Sequence, residues 1–207
     1  MSTRIAKSAR TMRKQPRQAR SRVMVEAVVE AGARVLSDQG WVGFTTNRVA
    51  DVAGVAIGSL YQYFPDKLSL VEAVRNRHLA DCLAVLQRCA SSRAPVRQFV
   101  DVLVQEMAAA HSTHPGLHRV LLDEAPAKQD YLDPGSAYEI EYLQHYAMAI
   151  AACRPDWDPA AIQNAALLIS DAVDGVIHNA ARRAMLNDPA LMRALATMIE
   201  LYLSREG

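Results

Sequence analysis

Residues Thr45 to Lys67 read TTNRVADVAGVAIGSLYQYFPDK, and this pattern predicts two short helices joined by a tight turn. Thr45 or Thr46 can cap the first helix, because a threonine hydroxyl accepts a hydrogen bond from a free backbone N–H of the first turn. Gly54 suits the left-handed backbone of a helix C-terminus, and Pro65 stops the second helix. Two helices joined by a glycine-containing turn form a helix-turn-helix unit, whose second helix enters the DNA major groove.

The second helix of this stretch is rich in small, hydroxylic and amphipathic side chains, and few of its residues are plainly apolar. Serine and tyrosine hydroxyls can donate hydrogen bonds to phosphates, glutamine can pair with a base edge, and glycine allows close approach. This composition favours a helix that contacts DNA. The alternative is a helical hairpin inside a larger α-helical domain.

The same stretch, together with Phe44 before it, resembles the DNA-binding signature of the tetracycline-repressor (TetR) family of bacterial transcriptional regulators. The matching positions fall in register over roughly the first third of the chain: Gly54, Val55, Gly58, Leu60, Tyr61, Tyr63, Phe64 and Lys67. One position departs from the pattern. The family usually has Ser or Thr after Gly-Val, where it caps the recognition helix, and this chain has Ala56. Losing that cap costs about 1 kcal/mol.

The resemblance implies DNA contacts for particular side chains of this stretch. The side chains at positions that contact DNA phosphates in the family are Thr46, Ser59, Tyr61, Tyr63 and Lys67. Those matching positions close to base edges are Asn47, Ile57, Gly58 and Gln62. All five phosphate candidates carry side-chain donors, as phosphate binding requires. We expect Phe64 in the core, and Tyr61 half-buried with its hydroxyl outward.

Composition favours an all-α protein. The chain has 207 residues, 51% of them hydrophobic, yet no run approaches the roughly 20 apolar residues of a membrane span. No apolar segment follows the basic N-terminus, so we expect no signal peptide. The three cysteines form no CxxC pair, which indicates a reducing cytoplasm and no disulfide framework. Apolar periodicity predicts about nine helices.

Charge divides the chain into a basic first third and an acidic remainder. Residues 1–67 carry eleven Lys and Arg against five Asp and Glu, whereas residues 68–207 carry twelve against seventeen. We expect residues 1–16 to form a flexible basic arm that contacts phosphates or the minor groove, although a solvated tail is the alternative. Residues 17–66 then form the three-helix DNA-binding domain, and residues 67–207 form a helical ligand-binding and dimerisation domain.

The helix predicted for residues 136–153 carries aromatic rings with polar tips on one face. Such rings can line a cavity for a small organic ligand, or they can form a half-exposed amphipathic face. With polar residues of neighbouring helices, the candidate ligand contacts are Met107, His111, Tyr138, Tyr142, His145, Tyr146, Asp174 and His178.

The spacing of the histidines gives only weak evidence for a metal site. His111, His114 and His118 cluster in sequence, but a break at residues 115–116 means that their imidazoles need not converge. His78 and Cys82 have the i, i+4 spacing of metal ligands, yet cysteines at such positions are usually core residues. One helix face carries Asp171, Asp174 and His178. This arrangement suits a buried polar pair at a dimer seam better than a metal site. We therefore expect no metal and no cofactor.

The last two helices, about residues 160–204, have broad apolar faces that suit a four-helix bundle across a two-fold axis. With the TetR resemblance, this predicts a homodimeric repressor that binds a palindromic DNA operator and is released by a small organic ligand. An activator, or a regulator that needs a corepressor, would have the same sequence features. A small α-helical enzyme is the remote alternative, since no serine–histidine, paired-carboxylate or phosphate-loop pattern supports it.

Overall fold

The computed structural model of the chain describes residues 18–126 and 135–205, apart from the side chain of Leu122. The predicted basic arm, residues 1–16, lies outside the described residues, as does most of the loop expected near residues 125–135. No strand occurs in the part of the chain that is described. The all-α fold class is therefore confirmed.

Nine α-helices occur in the described residues, in agreement with the sequence pattern. They are α1 (Ala19–Gly43), α2 (Thr46–Ala53), α3 (Ile57–Tyr63), α4 (Lys67–Ser92), α5 (Val96–Ser112), α6 (Leu117–Arg119), α7 (Ala137–Cys153), α8 (Pro159–Arg182) and α9 (Pro189–Leu203). A π-helical turn, Val120–Glu124, continues α6.

Side-chain N-caps explain where several helices begin. The Thr45 hydroxyl accepts the backbone N–H of Arg48 at 3.1 Å, which satisfies one free donor of α2. The carboxylates of Asp158 and Asp188 do the same at the starts of α8 and α9. Proline follows each aspartate, where its fixed φ and missing N–H suit the first helical turn.

Gly40 breaks α1 near its end. Its backbone adopts φ 67° and ψ −174° inside the helical span, a conformation that favours glycine because it has no Cβ. The chain then passes through the aromatic link of Trp41 and Phe44 before α2 begins.

The described chain divides into two compact units, the first ending at Arg77 and the second beginning at His78. This division falls within α4, whereas the sequence places a domain boundary at residue 66. The early turns of α4 pack on α1, where a Cβ added to Gly32 would lie only 2.9 Å from Cγ2 of Val74. Farther along, the Arg77 guanidinium donates to Glu30 at 2.5 Å.

A small apolar core holds the N-terminal unit together. Its fully buried side chains come from α1, the aromatic link, α3 and α4: Leu36, Phe44, Leu60, Phe64 and Leu70. Phe64 therefore belongs to the core, as expected. Three helices over one core present α3 on a rigid support.

The C-terminal unit has a core of its own, in which α7 packs along α8 and α9 packs along α5. Fully buried members include Leu86, Phe99, Leu103, Ile150 and Ile177. By length and composition alone α8 could cross a membrane, because it spans 24 residues that include a long, mainly apolar stretch. A core helix of a folded domain passes the same test, and α8 contacts α5, α6 and α7.

Candidate functional site

The turn between α2 and α3 has the geometry of a helix-turn-helix unit. Gly54 ends α2 in the left-handed conformation, with φ 67° and ψ 32°, and its N–H reaches the carbonyls of Ala50 and Asp51. The two helices also touch through side chains, since the hydroxyls of Thr46 and Tyr61 lie 2.9 Å apart. The turn and this contact fix the direction in which α3 leaves α2.

Most of the predicted base-reading side chains lie on the surface of the N-terminal unit. Asn47, Gly58 and Gln62 are exposed, and Ile57 is 37% exposed. Among the phosphate candidates, Ser59 is partly buried and Tyr61 is 43% exposed. These residues form one polar and small-residue surface along α3 and the start of α2.

Tyr63 and Lys67 are held differently from the other phosphate candidates. Tyr63 is only 8% exposed, so its ring belongs mainly to the core. The Lys67 ammonium donates to the carbonyl oxygen of Trp41 at 2.8 Å and lies 3.6 Å from the centre of the indole ring. Burial lowers the pKa of Lys67. Lys67 thus fastens the start of α4 to the aromatic link, a role that sequence reasoning missed.

Ala56 is the N-cap of α3, with φ −65° and ψ 136°, and it makes no side-chain capping hydrogen bond. The recognition helix therefore begins at Ile57, and its first turn lacks the acceptor that serine or threonine would supply.

In the C-terminal unit, four of the candidate ligand residues form a polar cluster, in which Tyr142 and Tyr146 are buried. The Tyr142 hydroxyl donates to Oδ1 of Asp174 at 2.9 Å, and the rings of Tyr142 and Tyr146 meet edge to face with centroids 5.1 Å apart. Tyr138 stacks on Tyr142 at 5.4 Å. The Tyr146 hydroxyl is buried and has no partner with hydrogen-bond geometry among the described residues. We call Tyr138, Tyr142, Tyr146 and Asp174 the tyrosine–aspartate cluster.

Burial dominates the electrostatics of this cluster. It raises the pKa of Asp174 to about 7, with smaller contributions from the charges of Glu139 and Asp171, while the Tyr142 hydrogen bond opposes the shift. Burial also raises the pKa of both Tyr142 and Tyr146 well above the ordinary tyrosine value. Asp174 and His178 face the interior of their own unit, where Asp174 pairs with Tyr142. Asp174 thus has a partner within its own chain, and the polar pair at a dimer seam stays a prediction.

The remaining ligand candidates fall into separate places. Met107 is buried, and its carbonyl oxygen lies 2.7 Å from Nδ1 of His111. His111 and His178 lie together, with ring centroids 5.4 Å apart. His145 is apart from both groups, because its Nε2 lies 3.4 Å from the Gln87 amide on α4.

The expectation that the histidine rings need not converge is wrong for His111 and His118. Their rings stack with centroids 4.2 Å apart, since the break at residues 115–116 redirects the chain and lets α6 return to α5. His78 joins them from α4, with its ring 4.4 Å from that of His118. Spacing along the sequence cannot show this, because the three residues lie on three different helices.

Two family models match the chain. Residues 28–74 match the model described as "Bacterial regulatory proteins, tetR family", and residues 95–203 match "Tetracyclin repressor-like, C-terminal domain". The second match alone covers more than half of the chain. The chain belongs to the TetR family.

Individual TetR-family proteins agree with this assignment. The HTH-type transcriptional repressor KstR of Mycobacterium tuberculosis is 28% identical over 137 residues, which cover 63% of this chain and 60% of KstR. The match thus spans less than two thirds of that relative. A putative TetR-family regulator from Rhodococcus sp. superposes with a TM-score of 0.67 at 21% identity, covering 87% of this chain and 98% of that one. FadR from Bacillus subtilis, in complex with stearoyl-CoA, superposes with a TM-score of 0.65 at 14% identity, covering 86% of this chain and 96% of that one.

TetR-family membership identifies the chain as a transcriptional regulator with a helix-turn-helix unit, and not as an enzyme. The sequence-based prediction of the regulator class is confirmed. Membership does not assign the DNA or ligand contacts of individual residues, which stay predictions.

The raised pKa of Asp174 predicts a pH-dependent stability for this TetR-family protein. The folded chain keeps the Asp174 proton up to about pH 7, whereas the unfolded chain releases it near pH 4. The carboxyl group therefore lowers the free energy of unfolding progressively as pH rises from about 4 to 7. Asp174→Asn should remove this loss and exceed the wild type in stability at pH 8 by up to roughly 4 kcal/mol. Urea unfolding at pH 4.5 and pH 8 measures the difference.

Asp101→Asn, on the exposed side of α5, is the matched control and should leave the pH profile of the wild type unchanged. Parallel pH profiles for wild type and Asp174→Asn would show that Asp174 does not hold a proton in the folded state.

Proposed function

We propose that this TetR-family chain is a homodimeric, cytoplasmic repressor that binds a palindromic DNA operator and is released by a small organic ligand. The observation that carries the proposal is the surface of α3, where Gly58 and Gln62 are exposed on a short helix with a buried apolar base. An exposed helix with a glycine and an amide can approach base edges in a major groove.

Phosphate contacts would position this helix on the operator. Thr46, Ser59 and Tyr61 offer hydroxyl donors beside the base-reading residues, and a hydroxyl can donate to a phosphate oxygen. Tyr63 could reach a phosphate only through its hydroxyl, and Lys67 only with an N–H not used on Trp41. The basic charges of residues 1–16 would add salt-dependent affinity.

The DNA contacts can be tested with duplexes from the chain's own upstream region. Gln62→Ala and Asn47→Ala should each weaken specific binding roughly 5- to 150-fold, because a base contact is worth about 1–3 kcal/mol. Ala56→Ser should tighten binding by up to roughly fivefold, because it supplies the missing cap of α3. Fluorescence anisotropy at two salt concentrations measures both effects.

Gln98→Ala replaces an exposed glutamine of α5 and serves as the control, with affinity expected at the wild-type value. Equal affinity for the wild type, Gln62→Ala and Gln98→Ala would contradict a base-reading role for α3.

Dimerisation through the last two helices is supported by large apolar side chains on the surfaces of α8 and α9. Leu167 and Leu168 of α8 are 51% and 50% exposed, and Met198 and Leu201 of α9 are 50% and 70% exposed. Apolar side chains exposed together on adjacent helices mark a protein contact more often than a solvated face. A second copy of the chain would cover them in an isologous four-helix bundle.

The dimer can be tested by placing a carboxylate on this surface. Leu168→Glu and Leu201→Glu should each shift the protein from dimer to monomer at micromolar concentration, because a buried unpaired charge costs several kcal/mol. Sedimentation velocity measures the shift. Met148→Glu, on an exposed site of α7, is the control and should remain dimeric. A wild-type chain that sediments as a monomer would rule out this interface.

A ligand site at the tyrosine–aspartate cluster is supported by its buried, partly unsatisfied polar groups. Tyr146 offers a hydroxyl to a ligand, and Tyr142 and Asp174 offer a fixed hydrogen-bonded pair between aromatic walls. These groups suit an apolar or aromatic molecule with one or two polar atoms. The FadR relative was solved with stearoyl-CoA, which makes an acyl thioester a reasonable first probe for this chain.

Thermal denaturation with stearoyl-CoA and with a panel of neutral aromatic compounds tests the ligand site. A ligand that binds only the folded chain raises its apparent melting temperature, and the rise should shrink in Tyr142→Phe. Tyr202→Phe, on α9, is the control and should keep the full rise. A compound whose stabilisation is the same in both variants would place the ligand elsewhere.

The effect of such a ligand on operator binding separates the repressor from its alternatives. A ligand releases DNA only if it prefers the conformation that binds DNA poorly, since equal affinity for both conformations shifts nothing. A ligand that tightens operator binding would instead indicate a corepressor-dependent regulator.

A further inference from the structure

Four histidine rings meet in the interior of the C-terminal unit. The ring of His78, on α4, lies 4.9 Å from that of His111 on α5 and 4.4 Å from that of His118 on α6. His178, on α8, stacks on His118 at 4.3 Å. One ring nitrogen from each of His78, His111 and His118 lies within 4.8 Å of the other two, and all three residues are buried. Imidazoles from three helices thus converge on one point, with the His178 ring stacked beside them.

The tautomer of His111 leaves one ring nitrogen available as a ligand. Its Nδ1 lies 2.7 Å from the carbonyl oxygen of Met107. A carbonyl can only accept, so Nδ1 carries the proton and Nε2 keeps its lone pair. Metal-binding histidines are usually held in this way, with the second ring nitrogen donating to a backbone carbonyl.

His118 has a ring nitrogen for which the described residues supply no partner. Its Nε2 lies 2.5 Å from Nε2 of His78, while its Nδ1 is buried without a hydrogen-bond partner among the described residues. A metal bound at Nε2 leaves Nδ1 as the outer ring nitrogen, which needs an acceptor other than these side chains. The close approach of two Nε2 atoms shows that His78 and His118 aim at the same point.

We propose that His78, His111 and His118 bind one divalent transition-metal ion of the zinc class, with the ring of His178 packed on His118. Zinc–nitrogen bonds of about 2.0–2.1 Å in a tetrahedral site put ligand nitrogens about 3.3 Å apart. The 2.5 Å pair would have to open by roughly 1 Å to reach this spacing. Imidazole suits zinc, copper, iron and nickel, whereas magnesium and calcium prefer oxygen ligands.

The surroundings of the three ligands agree with this chemistry. The hydrogen bond of His111 Nδ1 to Met107 leaves a lone pair on its Nε2, as metal binding requires. The buried Cys82 sulfur lies 3.6 Å from Nε2 of His78, at the edge of the three-histidine group. The positive charge of Arg182, which acts on His118 and His178, is paired with Asp123 at 2.8 Å.

A metal at this point would join α4 to α5 and α6, a property distinct from operator binding and from the tyrosine–aspartate cluster. Its test therefore uses metal binding itself. The full chain, without an affinity tag and stripped with EDTA, is titrated with Zn²⁺ by calorimetry, and its melting temperature is measured with and without the ion. We expect one Zn²⁺ per chain and a higher melting temperature.

Variants connect the binding to particular rings. His111→Asn and His118→Asn should each weaken Zn²⁺ binding by at least about 100-fold, because a lost ligand costs more than a lost outer hydrogen bond. His114→Gln removes a histidine of the same segment that does not belong to the cluster, and it should bind Zn²⁺ like the wild type. Circular dichroism of each metal-free variant shows whether it is folded.

X-ray absorption of the Zn²⁺-loaded wild type counts the imidazole ligands of the metal directly, so it tests the site even if a variant fails to fold. It should show at least three imidazole ligands. Fewer than three imidazoles, no Zn²⁺ binding, or full affinity in a folded His118→Asn chain would overturn the proposal. The operator assay is independent, so a chain that binds DNA but no Zn²⁺ would refute the metal site alone.

Discussion

The presentation of α3 depends on apolar packing beneath it. A helix of seven residues is too short to be stable alone in water, and this one lacks a side-chain N-cap. Leu60 and Phe64 are fully buried against the core that α1 and α4 complete. Packing therefore keeps α3 folded. Its exposed face can then carry residues of low helix propensity, such as Gly58 and Ser59.

The close approach of α1 and α4 extends this support. Gly32 leaves room for Val74, and the Lys67 ammonium holds the start of α4 on the carbonyl and ring of Trp41. The first turns of α4 thus belong physically to the N-terminal unit. The later turns supply His78 and Leu86 to the C-terminal unit, so one helix contributes to both cores.

The C-terminal unit concentrates polar groups in places where burial is costly. An unpaired buried polar group costs free energy. The hydrogen bond from Tyr142 to Asp174 offsets this cost in one place. Contacts among the histidine rings offset it in another. The same desolvation keeps Asp174 protonated to higher pH and keeps His111 neutral. Both effects favour the neutral forms of these groups in the interior.

Local patterns determined much of this protein. The Thr45 cap, the left-handed Gly54, the caps at Asp158 and Asp188, and the TetR-like motif were readable because they depend on residues within a few positions of each other. Tertiary structure alone decided that Lys67 binds Trp41, that Tyr63 is buried, and that His78, His111 and His118 meet. Those contacts join residues 26 or more positions apart or on different helices, and helical periodicity predicts which face a side chain occupies but not which helix it meets.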